Sequence, residues 1–248
     1  MEKSNMFKSG TVLLFSGGLD SYITAKLFNP DILLYMSIGS KYADKEIANL
    51  RKLDIPQDRL VIDNRLNLSD IELENSIVPL RNLFFALNGL FYRNKVMLAA
   101  TKGDTTKDKD ERFMKLFNLM AEHLVTEEKD DKTFPWKKDG FKPELTLPVK
   151  HLTKTELVGE YLRNGFKPEG IWNTISCYSA TQRECGACKT CFRKAVALIN
   201  NNIYKPEIFE KAIDWAPFVK QTIEKNRIGE LEDTLKAMDR IGFNYKDI

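Results

Sequence analysis

Residues 11–21 read Thr11-Val-Leu-Leu-Phe-Ser-Gly-Gly-Leu-Asp-Ser21. The apolar run Val12 to Phe15 has the length of a buried strand. Ser16-Gly17-Gly18 turns the chain, and Leu19, Tyr22, Ile23 and Leu27 then recur at helical spacing. A strand, a glycine turn and a helix start together form an anion site, because the first helical N–H groups have no partner inside the helix and glycine lets a ligand approach the backbone. Ser16 and Ser21 add hydroxyl donors, and Asp20 can hold a cation. The plain alternative is an ordinary turn of small residues.

Outward from this turn, strand-like and helical segments alternate. Ile32 to Ser37 is a second strand, whose end would lie beside the first and bring Ser37 near a nucleotide base. Lys41 to Leu53 is helical in spacing, and Arg59 to Asp63 is a third strand. Asn64 to Asn75 is a polar loop with one short helix, and Pro79-Leu-Arg-Asn82 starts an apolar helix over Leu83 to Tyr92. Val96 to Ala100 is a fourth strand, opening into the polar run Thr101 to Asp110; Glu111 to Leu124 is helical. This β-α-β alternation predicts an α/β fold with a doubly wound, mainly parallel sheet. Thr126 to Lys142 reads as the most mobile segment. Leu145 to Val149 is a short extended piece, and Thr153-Lys-Thr-Glu156 is a capping box for a helix to about Arg163. Phe192 to Ile199 is helical, and the tail from Pro206 divides into helical pieces broken near Pro217 and Gly229.

With 248 residues, 43% hydrophobic and 29% charged, the chain suffices for one large α/β domain. A net charge of +3 is too small to argue for nucleic acid. The N-terminal residues lack the apolar core of a secretion signal, and no apolar run approaches a membrane span, so a cytoplasmic protein is expected. All four cysteines fall in Cys177-x7-Cys185-x2-Cys188-x2-Cys191. Four thiolates so close match a structural tetrahedral zinc site, with an iron–sulfur cluster as the competitor. Gly186 permits the tight turn of the Cys-x2-Cys knuckle. His123 and His151 read as plain surface or core residues.

The turn is neither a Walker A loop nor a G-x-G-x-x-G. Ser16-Gly-Gly-Leu-Asp-Ser21 resembles the PP-loop of the N-type ATP pyrophosphatases, which cleave ATP between the α and β phosphates and adenylate a substrate oxygen. Together with the cysteine spacing near the other end, it resembles the 7-cyano-7-deazaguanine synthase family over about residues 11–200. Val78-Pro-Leu-Arg-Asn82 resembles that family's Val-Pro-Gly-Arg-Asn, with Leu80 in the glycine's place. Asp104, Asp110 and Arg112 resemble its acidic and basic positions; Leu147-Pro-Val149 with Lys154, and Ser176-Cys-Tyr178 with Gly186, match further. Lys194 stands where the family has arginine.

The resemblance implies an adenine nucleotide α-hydrolase-like domain over residues 1–204, including a zinc module at 177–191, and a helical extension over 205–248. It implies ATP, Mg²⁺ and Zn²⁺ as cofactors. The implied reaction joins 7-carboxy-7-deazaguanine and ammonia into the nitrile through an adenylated carboxylate and an amide. Phe15, Ser16, Gly17, Gly18, Leu19, Asp20, Ser21 and Ser37 would bind nucleotide. Asp20 with Asp104 or Asp110 would carry magnesium. Arg81 would clamp a carboxylate or phosphate and Asn82 orient it. Lys102 and Lys154 are candidate phosphate contacts, and Trp172 or Tyr178 candidate stacking partners. Alternatives are an enzyme that stops at the amide or uses another amine, even on a protein; a tRNA thiolase; and a non-catalytic ATP- and zinc-binding module. No membrane and no direct nucleic-acid partner are expected, and the terminal helices are candidates for pairing subunits.

Overall fold

The structure is a computed structural model that describes residues 7–40, 42–74, 77–126, 141–177, 183–225 and 229–244. The expected mobile segment falls mostly on 127–140, and Tyr178 on 178–182; both lie outside the described residues. Five parallel strands form one sheet: β1 (Lys8–Leu14), β2 (Ile32–Met36), β3 (Leu60–Asp63), β4 (Arg93–Leu98) and β5 (Glu144–Thr146). Their order is β3-β2-β1-β4-β5. Val12 pairs with Ile32 on one side and Val96 on the other, so the strand that carries the glycine turn is central.

Alternate β1 residues supply two cores, which is why the run is apolar throughout rather than every second residue. Leu13 and Phe15 pack with Leu19, Tyr22 and Ile23 of α1 (Leu19–Phe28), Leu50 of α2 (Ala43–Leu50) and Leu157 and Tyr161 beyond β5. Val12 and Leu14 pack with Ala86 and Leu90 of α3 (Arg81–Leu90) and Phe117 and Ala121 of α4 (Glu111–Thr126). Each such buried aliphatic side chain contributes about 1.5–3 kcal/mol. Helices on both faces make the sheet doubly wound.

Leu80 precedes α3 with φ 59° and ψ 12°, in the left-handed region, and its side chain is 63% exposed. A leucine there is strained by about 1–2 kcal/mol and returns little by burial. Leu80→Gly is therefore expected to raise stability by about 1 kcal/mol net of glycine's greater unfolded-state entropy. Thermal unfolding should show a rise of about 2–4 °C; a fall would mean that Leu80 packs usefully after all.

Asp63 ends β3 buried. Tyr92 donates to its Oδ2 at 2.8 Å, and Arg65 donates through Nε and Nη2. Burial pushes the carboxyl pKa up, but the hydrogen bonds from Arg65 and Tyr92 outweigh it, and the pKa falls below the usual range. A depressed carboxyl adds stability above its unfolded pKa near 4 and loses it as pH falls through the lowered native value. Asp63→Asn should thus cost about 2–3 kcal/mol at pH 7, and the gap to wild type should narrow below about pH 4 in urea titrations. A pH-independent gap would rule out an ionic origin.

Beyond β5, α5 (Lys154–Arg163) begins with the capping box: Glu156 N–H donates to Thr153 Oγ1, and Thr153 N–H to Glu156 Oε2. A short α6 (Pro168–Trp172), α7 (Lys189–Asn200), α8 (Trp215–Glu224) and α9 (Glu230–Ile241) complete the described helices. Pro217 does not break the tail. It sits in the first turn of α8, where a missing N–H costs nothing. The tail shares a core with the cysteine segment, since Phe209, Ile213, Val219 and Met238 pack on Cys191, Phe192 and Val196. No helix among the described residues is long and apolar enough to cross a membrane.

Candidate active site and cysteine module

The chain leaves β1 for α1 on one face of the sheet and leaves β4 for α4 on the other. Two neighbouring strands whose exits part company open a crevice at their carboxyl ends. A cleft of about 290 Å³ lies there, lined by Phe15, Ser16, Gly18, Leu19, Asp20 and Ser21 of the turn. Met36 at the end of β2, Ile38 and Ser40 after it, Arg81 and Asn82 of α3, Asp104 after β4, Lys154 of α5, Ser176, and Arg193 of α7 also line it.

The turn is braced from inside. Ser16 Oγ and Ser21 Oγ are 3.2 Å apart, and Ser21 Oγ donates to the Gly18 carbonyl at 3.1 Å. Gly18 precedes α1 in extended conformation without capping it. Leu19 N–H donates instead to Ser176 Oγ at 2.9 Å. The cleft therefore meets the start of α1, where the remaining first-turn N–H groups and the helix dipole favour an anion.

Around this turn stand paired charges. Lys154 Nζ pairs with Asp20 Oδ1. Arg193 Nη1 lies 3.4 Å from Asp104 Oδ1, and Thr101 N–H donates to Asp104 Oδ2 at 2.9 Å. Burial opposes ionisation of Asp104, but Lys109, Arg193 and Lys154 prevail and hold its pKa far below the usual carboxylate range. Glu46 behaves oppositely: burial raises its pKa, against a 2.6 Å hydrogen bond from Tyr35 and the nearby Arg81.

The structure does not bring every sequence candidate to the cleft wall. Gly17 backs onto Leu50. Ser37 donates its N–H to the Asp63 carbonyl, while its neighbours Met36 and Ile38 face the cleft. Asp110 accepts from Phe113 N–H at 2.7 Å and so caps α4 rather than facing a ligand. Asn82 does line the cleft, and its amide donates to Asp108 Oδ2 at 2.8 Å, tying α3 to the loop after β4. Lys102 and Arg112 are exposed away from the cleft, and Trp172 Nε1 donates to the Ile203 carbonyl.

Sequence patterning missed Glu46, Lys109 and Arg193. Glu46 left one signal, an acid three residues after Ala43 and four before Leu50 on the apolar side of α2. Arg193 left none beyond adjacency to Lys194. Lys194 itself is wholly buried, donating to the Thr174 carbonyl at 2.7 Å and pairing with Glu184 at 3.1 Å. Glu184 Oε1 also accepts from Ser176 N–H at 2.8 Å, so this pair shapes the loop that carries Ser176 and Cys177.

The four thiols converge: all Sγ atoms lie within 4.8 Å of one another. Cys185 to Cys191 is 3.8 Å and Cys188 to Cys191 is 3.4 Å. Bonds of ~2.3 Å to one tetrahedral ion require Sγ separations of ~3.8 Å, so the set fits zinc. An iron–sulfur cluster, with several irons and sulfides inside the thiolates, needs a wider cage. Cys188 and Cys191 flank the first turn of α7, where the helix end favours thiolate. Gly186 has φ 75°, and a Cβ there would run into the Lys211 carbonyl oxygen.

Fold and site define an α/β protein of the PP-loop type with a four-cysteine cluster able to hold a metal ion. Residues 48–202 match the family described as Queuosine biosynthesis protein QueC, and the chain belongs to that family. It is 23% identical over 233 residues to the 7-cyano-7-deazaguanine synthase of Chlorobaculum tepidum, covering 80% of this chain and 96% of that protein. It is 24% identical over 247 residues to the same-named protein of Brucella anthropi, covering 87% and 98%.

Proposed function

We propose that the chain is an ATP-dependent carbon–nitrogen ligase that converts 7-carboxy-7-deazaguanine and ammonia to 7-cyano-7-deazaguanine. The observation that carries this reading is the cleft at the β1/β4 crevice, where the first turn of α1 meets Lys154, Arg193 and Arg81. The relatives' name supplies the substrate class.

In this reading the triphosphate lies on the Ser16–Ser21 turn, its α-phosphate turned to the substrate carboxylate. Carboxylate oxygen attacks the α-phosphorus and pyrophosphate leaves; Lys154 and Arg193 meet the charge that develops on it. Ammonia then displaces AMP to give the amide. A second ATP activates the amide oxygen, and loss of AMP and of the two nitrogen protons leaves the nitrile. Arg81 would hold the substrate carboxylate, and Asn82 would fix the neighbouring wall.

The lining cations Arg81, Lys109, Lys154 and Arg193 are matched by Asp20, Glu46, Glu72 and Asp104. A triphosphate therefore needs a cation of its own, and Asp20 and Asp104 are the carboxylates that would share Mg²⁺, which neutralises phosphate charge. Zinc in the cysteine module would be structural, because four thiolates leave it no open position. The same geometry leaves no cysteine for sulfur transfer, which weighs against a tRNA thiolase. Four cysteines gathered for one metal ion, not paired as disulfides, favour a cytoplasmic protein.

Mass spectrometry of 7-carboxy-7-deazaguanine incubated with ATP and Mg²⁺, with and without ammonium, tests the reading. The expected products are the nitrile, AMP and pyrophosphate, only with ammonium. Amide as the sole end product would replace the nitrile assignment, a conjugate would name another amine, and no ATP consumption would overturn the ligase itself.

A further inference from the structure

The C-terminal helix reaches the cleft through one carboxylate. Glu230 opens α9, and its Oε1 lies 2.6 Å from Nε of Arg193, the α7 arginine that faces the cleft. The two side chains are 12% and 18% exposed. Gly103 makes room for them: a Cβ there would stand 2.5 Å from Glu230 Oε1 and 2.8 Å from Arg193 Nη2. Burial disfavours the guanidinium charge, and Asp104, Glu230 and Asp20 restore it. α9 is itself fixed, with Ala237 and Met238 in the core beside Phe192, and Asn200 Nδ2 donating to the Asp233 carbonyl at 2.8 Å.

Arg193 thus has two carboxylate partners in different positions. Asp104 lines the cleft; Glu230 stands behind it. A guanidinium held by Asp104 alone would lose its partner whenever Asp104 turned to an incoming cation, and a half-buried arginine with no fixed partner spreads over many rotamers. We infer that Glu230 is a positioning residue: it holds Arg193 in place as an anion-binding group, and the helix beyond the matched residues 48–202 is thereby part of the working site. The inference rests on the reading of the cleft as a phosphate site.

Calorimetric titration of the full-length, metal-loaded protein with inorganic pyrophosphate and with MgATP tests it. Glu230→Gln should weaken pyrophosphate binding about tenfold and raise the KM for ATP more than it lowers kcat. Glu230→Asp should recover most of the loss. Gly103→Ala, which presses on the pair from the other side, should act in the same direction. Glu232→Gln, on the exposed pair with Lys236, should leave binding unchanged. The Arg193 Nε–H resonance should move or broaden in Glu230→Gln and remain sharp in Glu232→Gln.

Unchanged or tighter pyrophosphate binding in Glu230→Gln would overturn the inference, the tighter result showing that Glu230 merely offsets the arginine's charge. Wild-type protein that binds neither pyrophosphate nor ATP would instead sink the phosphate reading of the cleft.

Discussion

Cys191→Ala is expected to remove the metal and to lower the unfolding free energy by about 5 kcal/mol. Structural zinc contributes about 10–16 kcal/mol of binding in small modules, so losing one of four ligands removes a large part of it. Here the loss spreads, because Cys191 is wholly buried in the core that joins α7 to Phe209, Ile213, Val219 and Met238. Metal content per chain and thermal unfolding with and without a chelator would check this. Wild-type protein should carry one zinc per chain and melt early when chelated. Several irons with acid-labile sulfide would contradict the single-ion geometry of the thiols, and a variant that melts with wild type would contradict a structural role for the ion.

Lys154→Ala is expected to cut turnover in the proposed reaction by about 10²–10³, the scale of losing one charged group aimed at a developing anion. The fold should survive. Lys154 is the first residue of α5, and the cap is made by Thr153 and Glu156, not by the lysine. The change leaves Asp20, 21% exposed, without its cation. Lys154→Arg should recover part of the activity, since it restores charge but not shape. Steady-state kinetics beside a melting curve separates the two effects. Wild-type turnover in Lys154→Ala would show the lysine to be only a structural partner of Asp20.

How much of this was legible beforehand follows from the range of each interaction. The strand of Val12 to Phe15, the capping box at Thr153 and the cysteine set are local patterns, written within a few residues, and the structure repeats them with small changes of boundary. Pro217 misled because proline breaks a helix interior but is tolerated in its first turn, and nothing local says which of the two it occupies. Asp110 is ambiguous in the sequence because a carboxylate before a helix has two uses, and in the fold it meets the Phe113 amide. The Arg193–Glu230 pair joins two helices far apart in sequence, so neither residue carries a mark of the other. The backbone at Leu80 is another case: the sequence shows a leucine where a glycine was expected, but only the φ of 59° shows that the glycine-like conformation persists.

Ser176 sits beside Cys177, one of the four clustered thiols, and its hydroxyl receives the first amide of α1. The glycine turn and the cysteine segment thus meet through this one side chain. On the proposed reading, an ion closing the four thiols would also steady Ser176 against the turn, so metal supply would bear on when the cleft is first complete.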